Sequence, residues 1–321
     1  MCLDKPSRIE YITIYVKCKT QAVNYYQEKL HFVPEGPWFR AGDIKIYLVE
    51  EHTASPKDQQ VVDIAFAVDS VSHIFQRALL YGAQVVFQPR TVAHEQGQLY
   101  MARVSLHNNV TFTFIDPTLS TPSNKPQACS SPLTNIDHIT FCLPYGDALD
   151  YWAGYFENVH GLKQTYEEYV VTERTGMDSK VFQSQDGAVK IVLVRPVLGT
   201  DTSQVADFVE HYVGPCVQHI AFSTDDIMTT VKKLRETGIR FLPIPDKYYQ
   251  KKEKTDNQKI NYSRLKELNI LGDSYQNGFL FQAFTVPENP YPSLFYEIIE
   301  RQQCEGFSSG NIHALFQAME G

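Results

Sequence analysis

The chain of 321 residues is long enough for two domains of ordinary size, and 43% hydrophobic with 21% charged residues describes a globular protein rather than a disordered one. A net charge of −8, with no basic cluster beyond the lysines at Lys251, Lys252 and Lys254, argues against nucleic acid and leaves a small molecule as the expected partner. No apolar run reaches the ~20 residues of a membrane span, MCLDKPSRIEY lacks the form of a signal peptide, and the six cysteines show no CxxC spacing; the expectation is a cytoplasmic protein with reduced thiols and no membrane partner.

In chain order, the first element is the strand IEYITI, Ile9 to Ile14. From Val61, VVDIAFAV alternates as a half-buried strand does, SVSHIFQRALLYG sets apolar residues at helical spacing before a glycine stop, and AQVVFQP returns as a strand. VTFTFIDP, from Val110, closes this half as a further strand. The stretch Pro117 to Thr134 is rich in proline and serine and reads as a linker. The series then repeats: IDHITF from Ile136 matches IEYITI, Val217 to Pro245 matches Val61 to Pro89 almost position by position, and SLFYEIIE from Ser293 answers VTFTFIDP. Duplication predicts an N-terminal domain over 1–116, a linker over 117–134 and a C-terminal domain over 135–321.

The two copies differ where chemistry could reside. His138 stands in the place of Tyr11, His219 in that of Asp63, and Glu297 opposite Phe114, so the C-terminal copy alone carries His, His and Glu. A carboxylate within the apolar run SLFYEII is costly to bury unless it is paired or bound to a metal. Two imidazoles and a carboxylate on one face leave open coordination positions, the arrangement of non-haem Fe(II) oxygenases. His138, His219 and Glu297 are therefore the expected metal ligands and Fe(II) the expected cofactor; the other histidines read as ordinary core or surface residues.

The motifs IDHITF, GPCVQHIAFSTDDI, LPIPDKYY, GFLFQAFT, SLFYEIIER and GFSSGNIHALFQAM together resemble the 4-hydroxyphenylpyruvate dioxygenase and 4-hydroxymandelate synthase family of the vicinal oxygen chelate superfamily, over nearly the whole chain. The resemblance implies an α+β fold of tandem βαβββ modules, two per domain, each pair curling an open sheet into a half-barrel, with iron in the C-terminal one and a structural N-terminal one. It implies an aryl 2-oxo acid and O2 as small-molecule partners, the acid chelating Fe(II) through its carboxylate and keto oxygens, so that no separate 2-oxoglutarate is needed. It further assigns Ser179, Gln204, Gln218, Gln282 and Asn311 as catalytic-site residues, and Phe284, Phe307, Ile312 and Leu198 as substrate contacts. The C-terminal helix in GFSSGNIHALFQAMEG is expected to cover the site. A homo-oligomer is compatible with the sequence, which leaves the oligomeric state open.

Two departures bear on the product. Homogentisate-forming members of the resembled family read GNF where this chain has Gly310, Asn311 and Ile312, and carry a PINEP-like loop where it has Pro196 to Thr200, with Leu198 in place of an asparagine. The smaller Ile312 and the short loop favour hydroxylation of the benzylic carbon, turning 4-hydroxyphenylpyruvate into 4-hydroxymandelate, over homogentisate formation or action on another 2-oxo acid. Two other classes share the superfamily: ring-cleaving extradiol dioxygenases, against which the C-terminal helix speaks, and metal-free binding proteins, against which the intact His, His, Glu set speaks.

Overall fold

The computed structural model describes residues 6–50, 57–94, 97–117, 131–171, 175–197, 203–255, 260–275, 278–290 and 292–320. The N-terminal half runs β1 (Pro6–Tyr15), α1 (Lys19–Asn24), a π-helical turn (Tyr25–Lys29), β2 (Val33–Glu35), β3 (Trp38–Ala41), β4 (Ile44–Val49), β5 (Gln60–Val68), α2 (Val71–Leu80), β6 (Gln84–His94), β7 (Gly97–His107) and β8 (Val110–Ile115). The C-terminal half runs β9 (Ile136–Cys142), α3 (Ala148–Val159), β10 (Lys163–Val171), β11 (Gly176–Gln183), β12 (Lys190–Val197), α4 (Gln204–Tyr212), β13 (Cys216–Ser223), α5 (Ile227–Glu236), α6 (Asp246–Thr255), α7 (Tyr262–Glu267), β14 (Leu271–Tyr275), β15 (Gly278–Phe284), β16 (Phe295–Gln302) and α8 (Ser309–Glu320).

Each half builds one mixed eight-stranded sheet, ordered β2-β3-β4-β1-β5-β8-β7-β6 and β10-β11-β12-β9-β13-β16-β15-β14. The second order is the first with every number raised by eight, which is the expected tandem βαβββ duplication seen as topology. In each sheet two antiparallel strands form the centre, β1 with β5 and β9 with β13, and each is flanked by a parallel neighbour. The copies diverge in their connections. The C-terminal half adds α4 before β13, and α6 and α7 before β14, in stretches where the sequence reading placed no helix. Most of the stretch read as a linker, including 118–130, lies outside the described residues.

Local chemistry sets the helix starts that matter for the site. Ser70 caps α2 by accepting from the His73 amide, and Asp226 caps the equivalent α5 by accepting from the Thr229 amide. Ser203 caps α4 in the same way, through the Ala206 amide, and so fixes Gln204 as the first helical residue. The central strands β5 and β13, whose alternation predicts half-buried strands, are buried on both faces, because Ile64, Phe66, Ile220 and Phe222 pack into the large shared core while Ala65 and Ala221 pack into smaller clusters on the other face.

The halves share one core. Phe112 on β8, fully buried, meets Phe66 of its own half and Phe141, Trp152, Tyr155, Phe156 and His160 of the other, with ring centroids between 5.7 and 6.3 Å apart. Tyr26 and Tyr296 join the halves again through a buried hydroxyl–hydroxyl hydrogen bond. Phe112→Ala should therefore lower the stability of the whole chain by about 3–5 kcal/mol, measured by urea unfolding; a loss below ~1 kcal/mol would show that the halves do not rely on this cluster.

Candidate metal centre

Register brings the three expected ligands together. Ala221 on β13 pairs with His138 on one side and with Glu297 on the other, and His219 lies two residues before Ala221, on the same face. The small side chain of Ala221 leaves room between its neighbours. His138 Nε2 lies 3.3 Å and His219 Nε2 3.4 Å from Glu297 Oε2. One ligand atom from each residue falls within 4.8 Å of the other two, and all three residues are buried. Among the described residues this is the one group of three or more His, Cys, Asp or Glu side chains that meets such a criterion.

Each ligand is held from behind. In β9 the ladder passes from Ile136 to His138 and leaves Asp137 bulged; in β13 it passes from Val217 to His219 and leaves Gln218 bulged. A bulge re-aims side chains that would otherwise alternate across the sheet. Thus His138 Nδ1 donates to Asp137 Oδ1 at 2.8 Å, and His219 Nδ1 donates to Gln218 Oε1 at 3.0 Å, leaving both Nε2 atoms facing the centre. Gln282 Nε2 donates to Glu297 Oε1 at 2.9 Å, so the other carboxylate oxygen points at the imidazoles.

The electrostatics agree with a cation-binding site. Burial alone would raise the Glu297 pKa, but the charge and hydrogen bond of His138, with a smaller contribution from His219, bring it down to about 2. Burial opposes a proton on His138, yet Glu297 and Asp137 outweigh it and raise that pKa, whereas burial dominates at His219 and lowers it. Without metal, a proton on His138 is the nearest positive charge to Glu297. A metal ion would replace it.

The cavity over these ligands has about 670 Å³ of empty space, part of it open to solvent. His138, His219, Glu297, Ser179, Gln204, Gln218, Gln282, Phe284, Phe307, Asn311 and Ile312 all line it. Ser179 Oγ donates to the Glu168 carbonyl. Gln218 Nε2 donates to Gln204 Oε1 at 3.4 Å, and Asn311 Nδ2 donates to Gln282 Oε1 at 2.8 Å. The Phe307 and Phe284 rings stand edge-on to His138 and His219, with centroids 5.1 and 6.1 Å away. Leu198 lies outside the described residues; the cavity wall from β12 is made by Val192 and Val194. The sequence reading missed these valines, and also Met177, Val181, Val205 and Leu315, because an aliphatic residue on a strand or helix gives no sign of whether it faces core or cavity. It also missed Asp137 and Arg301. An acid directly before a ligand histidine in a strand was the available signal.

The N-terminal copy keeps the geometry and changes the chemistry. Ala65 pairs with Tyr11 and with Thr113, so Thr113, rather than Phe114, occupies the place of Glu297, and Phe114 turns to the other face to pack 5.7 Å from His160. Asp63 takes the place of His219 and accepts from Thr111, Thr113 and Arg103. Arg103 pairs with Thr113 as Phe284 pairs with Glu297, so a guanidinium enters the place equivalent to the metal site. Tyr11, Met101 and Ile115 fill the remaining space with Trp38 and Phe87.

A paired βαβββ fold with a buried His, His, Glu set defines a metal-dependent protein of the vicinal oxygen chelate type. Residues 137–262 match the model of the Glyoxalase/Bleomycin resistance protein/Dioxygenase superfamily. The chain is 31% identical over 302 residues to 4-hydroxyphenylpyruvate dioxygenase of Yarrowia lipolytica, covering 88% of this chain and 75% of that one. It is also 31% identical over 281 residues to the enzyme of that name from Aspergillus fumigatus, covering 81% and 70%. Among solved structures, a mutant of 4-hydroxymandelate synthase from Streptomyces coelicolor superposes with a TM-score of 0.87 at 27% identity, covering 98% of each chain. This chain belongs to the 4-hydroxyphenylpyruvate dioxygenase and 4-hydroxymandelate synthase family, and is a non-haem iron dioxygenase of that type with His138, His219 and Glu297 as its triad.

Replacing His138, His219 or Glu297 by alanine should abolish stoichiometric Fe(II) binding under anaerobic titration, whereas Tyr11→Phe should leave it unchanged; stoichiometric iron in His219→Ala would contradict the assignment. Since metal must displace the proton that His138 retains above the ordinary imidazole pKa of ~6.5, Fe(II) affinity should rise as pH is raised through and beyond that value. An affinity flat between pH ~6 and ~8 would show that His138 holds no proton for the metal to displace in that range.

Proposed function

We propose that the chain converts 4-hydroxyphenylpyruvate and O2 into 4-hydroxymandelate and CO2, hydroxylating the benzylic carbon. The observation that carries this reading is the presence of Ile312, on α8, in the wall of the cavity that contains the triad. The likeness to a 4-hydroxymandelate synthase over nearly the whole chain supports it. Free thiols at Cys18, Cys142, Cys216 and Cys304 favour a reducing compartment such as the cytoplasm.

Two imidazole nitrogens and one carboxylate oxygen suit Fe(II) and leave coordination positions for a chelating 2-oxo acid. When bound there, Fe(II) supplies the redox chemistry with O2 that amino-acid side chains lack. The protein's own part is placement. Asp137 and Gln218 fix the imidazole tautomers, and Gln282 fixes the carboxylate. Phe284 and Phe307 flank the space next to the imidazoles, where an aromatic ring would make edge or stacking contacts. Ser179, Gln204 and Asn311 offer polar atoms for the phenol and carboxylate ends, and Val181, Val192, Val194 and Val205 exclude water from the walls. Ile312 leaves space in which the benzylic carbon, instead of the ring, faces the oxidant.

Oxygen uptake should proceed with 4-hydroxyphenylpyruvate alone; a strict requirement for added 2-oxoglutarate would remove this reading. The ring and benzylic outcomes share their early steps, so a ~1.4 kcal/mol change in competing barriers shifts the ratio tenfold, and a change of side-chain size in an apolar wall is worth about 1–3 kcal/mol. Ile312→Phe should keep oxygen uptake and move product from 4-hydroxymandelate toward homogentisate, as read by chromatography with mass spectrometry. A wild-type enzyme forming homogentisate alone would overturn the product assignment and leave the family intact.

A further inference from the structure

Arg301 lies on β16 four residues beyond Glu297, and its guanidinium meets two groups that belong to different parts of the site. Nε and Nη2 donate to the two oxygens of Asp137 at 2.7 and 2.9 Å, the paired geometry that a planar fork makes with a carboxylate. Asp137 is the group that holds His138. Nη1 donates to the Gly306 carbonyl at 2.5 Å, and the guanidinium lies 4.9 Å from the centroid of the Phe307 ring. Gly306 and Phe307 begin the segment that continues through α8 to supply Asn311, Ile312 and Leu315 to the cavity wall.

We propose that Arg301 is a positioning residue that couples the seating of this covering segment, residues 306–315, to the orientation of the metal ligand His138. When the segment is seated, Gly306 and Phe307 complete the surroundings of the guanidinium and hold it flat against Asp137. When Asp137 holds His138 toward the metal, the guanidinium is fixed where Gly306 and Phe307 can meet it. A second route runs in parallel, from Asn311 through Gln282 to Glu297. Metal and covering segment then stabilise each other, because linkage between two sites is reciprocal. The other nearby cation cannot do this: the Lys190 ammonium lies 3.8 Å from Asp137 and donates to the Gly187 carbonyl, away from the segment. The inference rests on the reading of His138 as a metal ligand.

The test uses Co(II) as the probe and the full chain, with hydrogen exchange of 306–315 followed with and without metal in wild type, Arg301→Lys and Asp137→Asn. Lysine keeps the charge and loses the fork. In wild type, Co(II) should slow exchange across 306–315 by about tenfold, within the usual range of coupling between sites. Arg301→Lys should bind Co(II) about 10–100-fold more weakly and, at saturating Co(II), keep only the smaller slowing that the route from Asn311 through Gln282 to Glu297 supplies. Asp137→Asn should lose the same part of the slowing although it lies on another strand. Glu168→Gln weakens a different anchor of the segment by taking the charge from the carboxylate that meets Ser309 and His313. It should speed exchange equally with and without Co(II), and keep Co(II) affinity within about threefold, well below the coupling expected through Arg301. A merely structural role would make Arg301→Lys behave like Glu168→Gln, and that result, or persistence of the full wild-type Co(II)-dependent slowing in Arg301→Lys, would overturn the proposal. If wild type bound no Co(II), the metal reading would fall first and the coupling with it.

Discussion

A carboxylate with 1% exposure in the middle of an apolar strand is the constraint around which the C-terminal half is arranged. An uncompensated charge at that depth is strongly unfavourable, so Glu297 requires positive partners and hydrogen-bond donors on every side. Two imidazoles face one of its oxygens and an amide faces the other. Those partners need fixed tautomers, which bulges in the two central strands supply by turning Asp137 and Gln218 toward the rings they precede. Asp137 in turn needs its own counter-charge, and Arg301 supplies it. From Glu297 through His138 and Asp137 to Arg301, each polar group is answered by the next.

The N-terminal half meets the same geometric problem with different residues. Its central row, Tyr11, Ala65 and Thr113, repeats His138, Ala221 and Glu297 in register. The buried charge there is Asp63, and a guanidinium answers it directly. Burial raises the Asp63 pKa and Arg103, with two threonine hydroxyls, pulls against it. An internal ion pair thus stands where the other copy gathers metal ligands, and aromatic and aliphatic side chains close the space that the other copy keeps open. One backbone accommodates both because the row of register partners, rather than any single side chain, defines the position.

Most of the architecture was legible in the sequence because duplication writes each strand and helix twice, and agreement between the copies marks what the fold needs. His138, His219 and Glu297 were legible for the opposite reason, since they are where the copies disagree. The pairing of Glu297 with Phe114 slipped by one residue. VTFTFI and SLFYEII align by their apolar character, but the two-residue period of a strand sends a slip of one to the other face, and backbone register places Thr113 in the row. The resemblance places Gln218 among the catalytic-site residues. Simple alternation cannot reveal that it bonds the histidine beside it, because that depends on a bulge. Arg301 was likewise invisible: its partners Asp137 and Gly306 lie on either side of it in the chain, one of them 164 residues away.

The chemistry of the C-terminal half depends on the convergence of two imidazoles on Glu297 being a metal site. X-ray absorption of the protein loaded anaerobically with Fe(II) tests this directly. The predicted result is an iron ion with imidazole scattering from two histidines, oxygen neighbours that include a carboxylate, and no sulfur, and no such spectrum from His138→Ala or His219→Ala, which should not retain the ion. Sulfur ligation, or a spectrum without imidazole scattering, would contradict it.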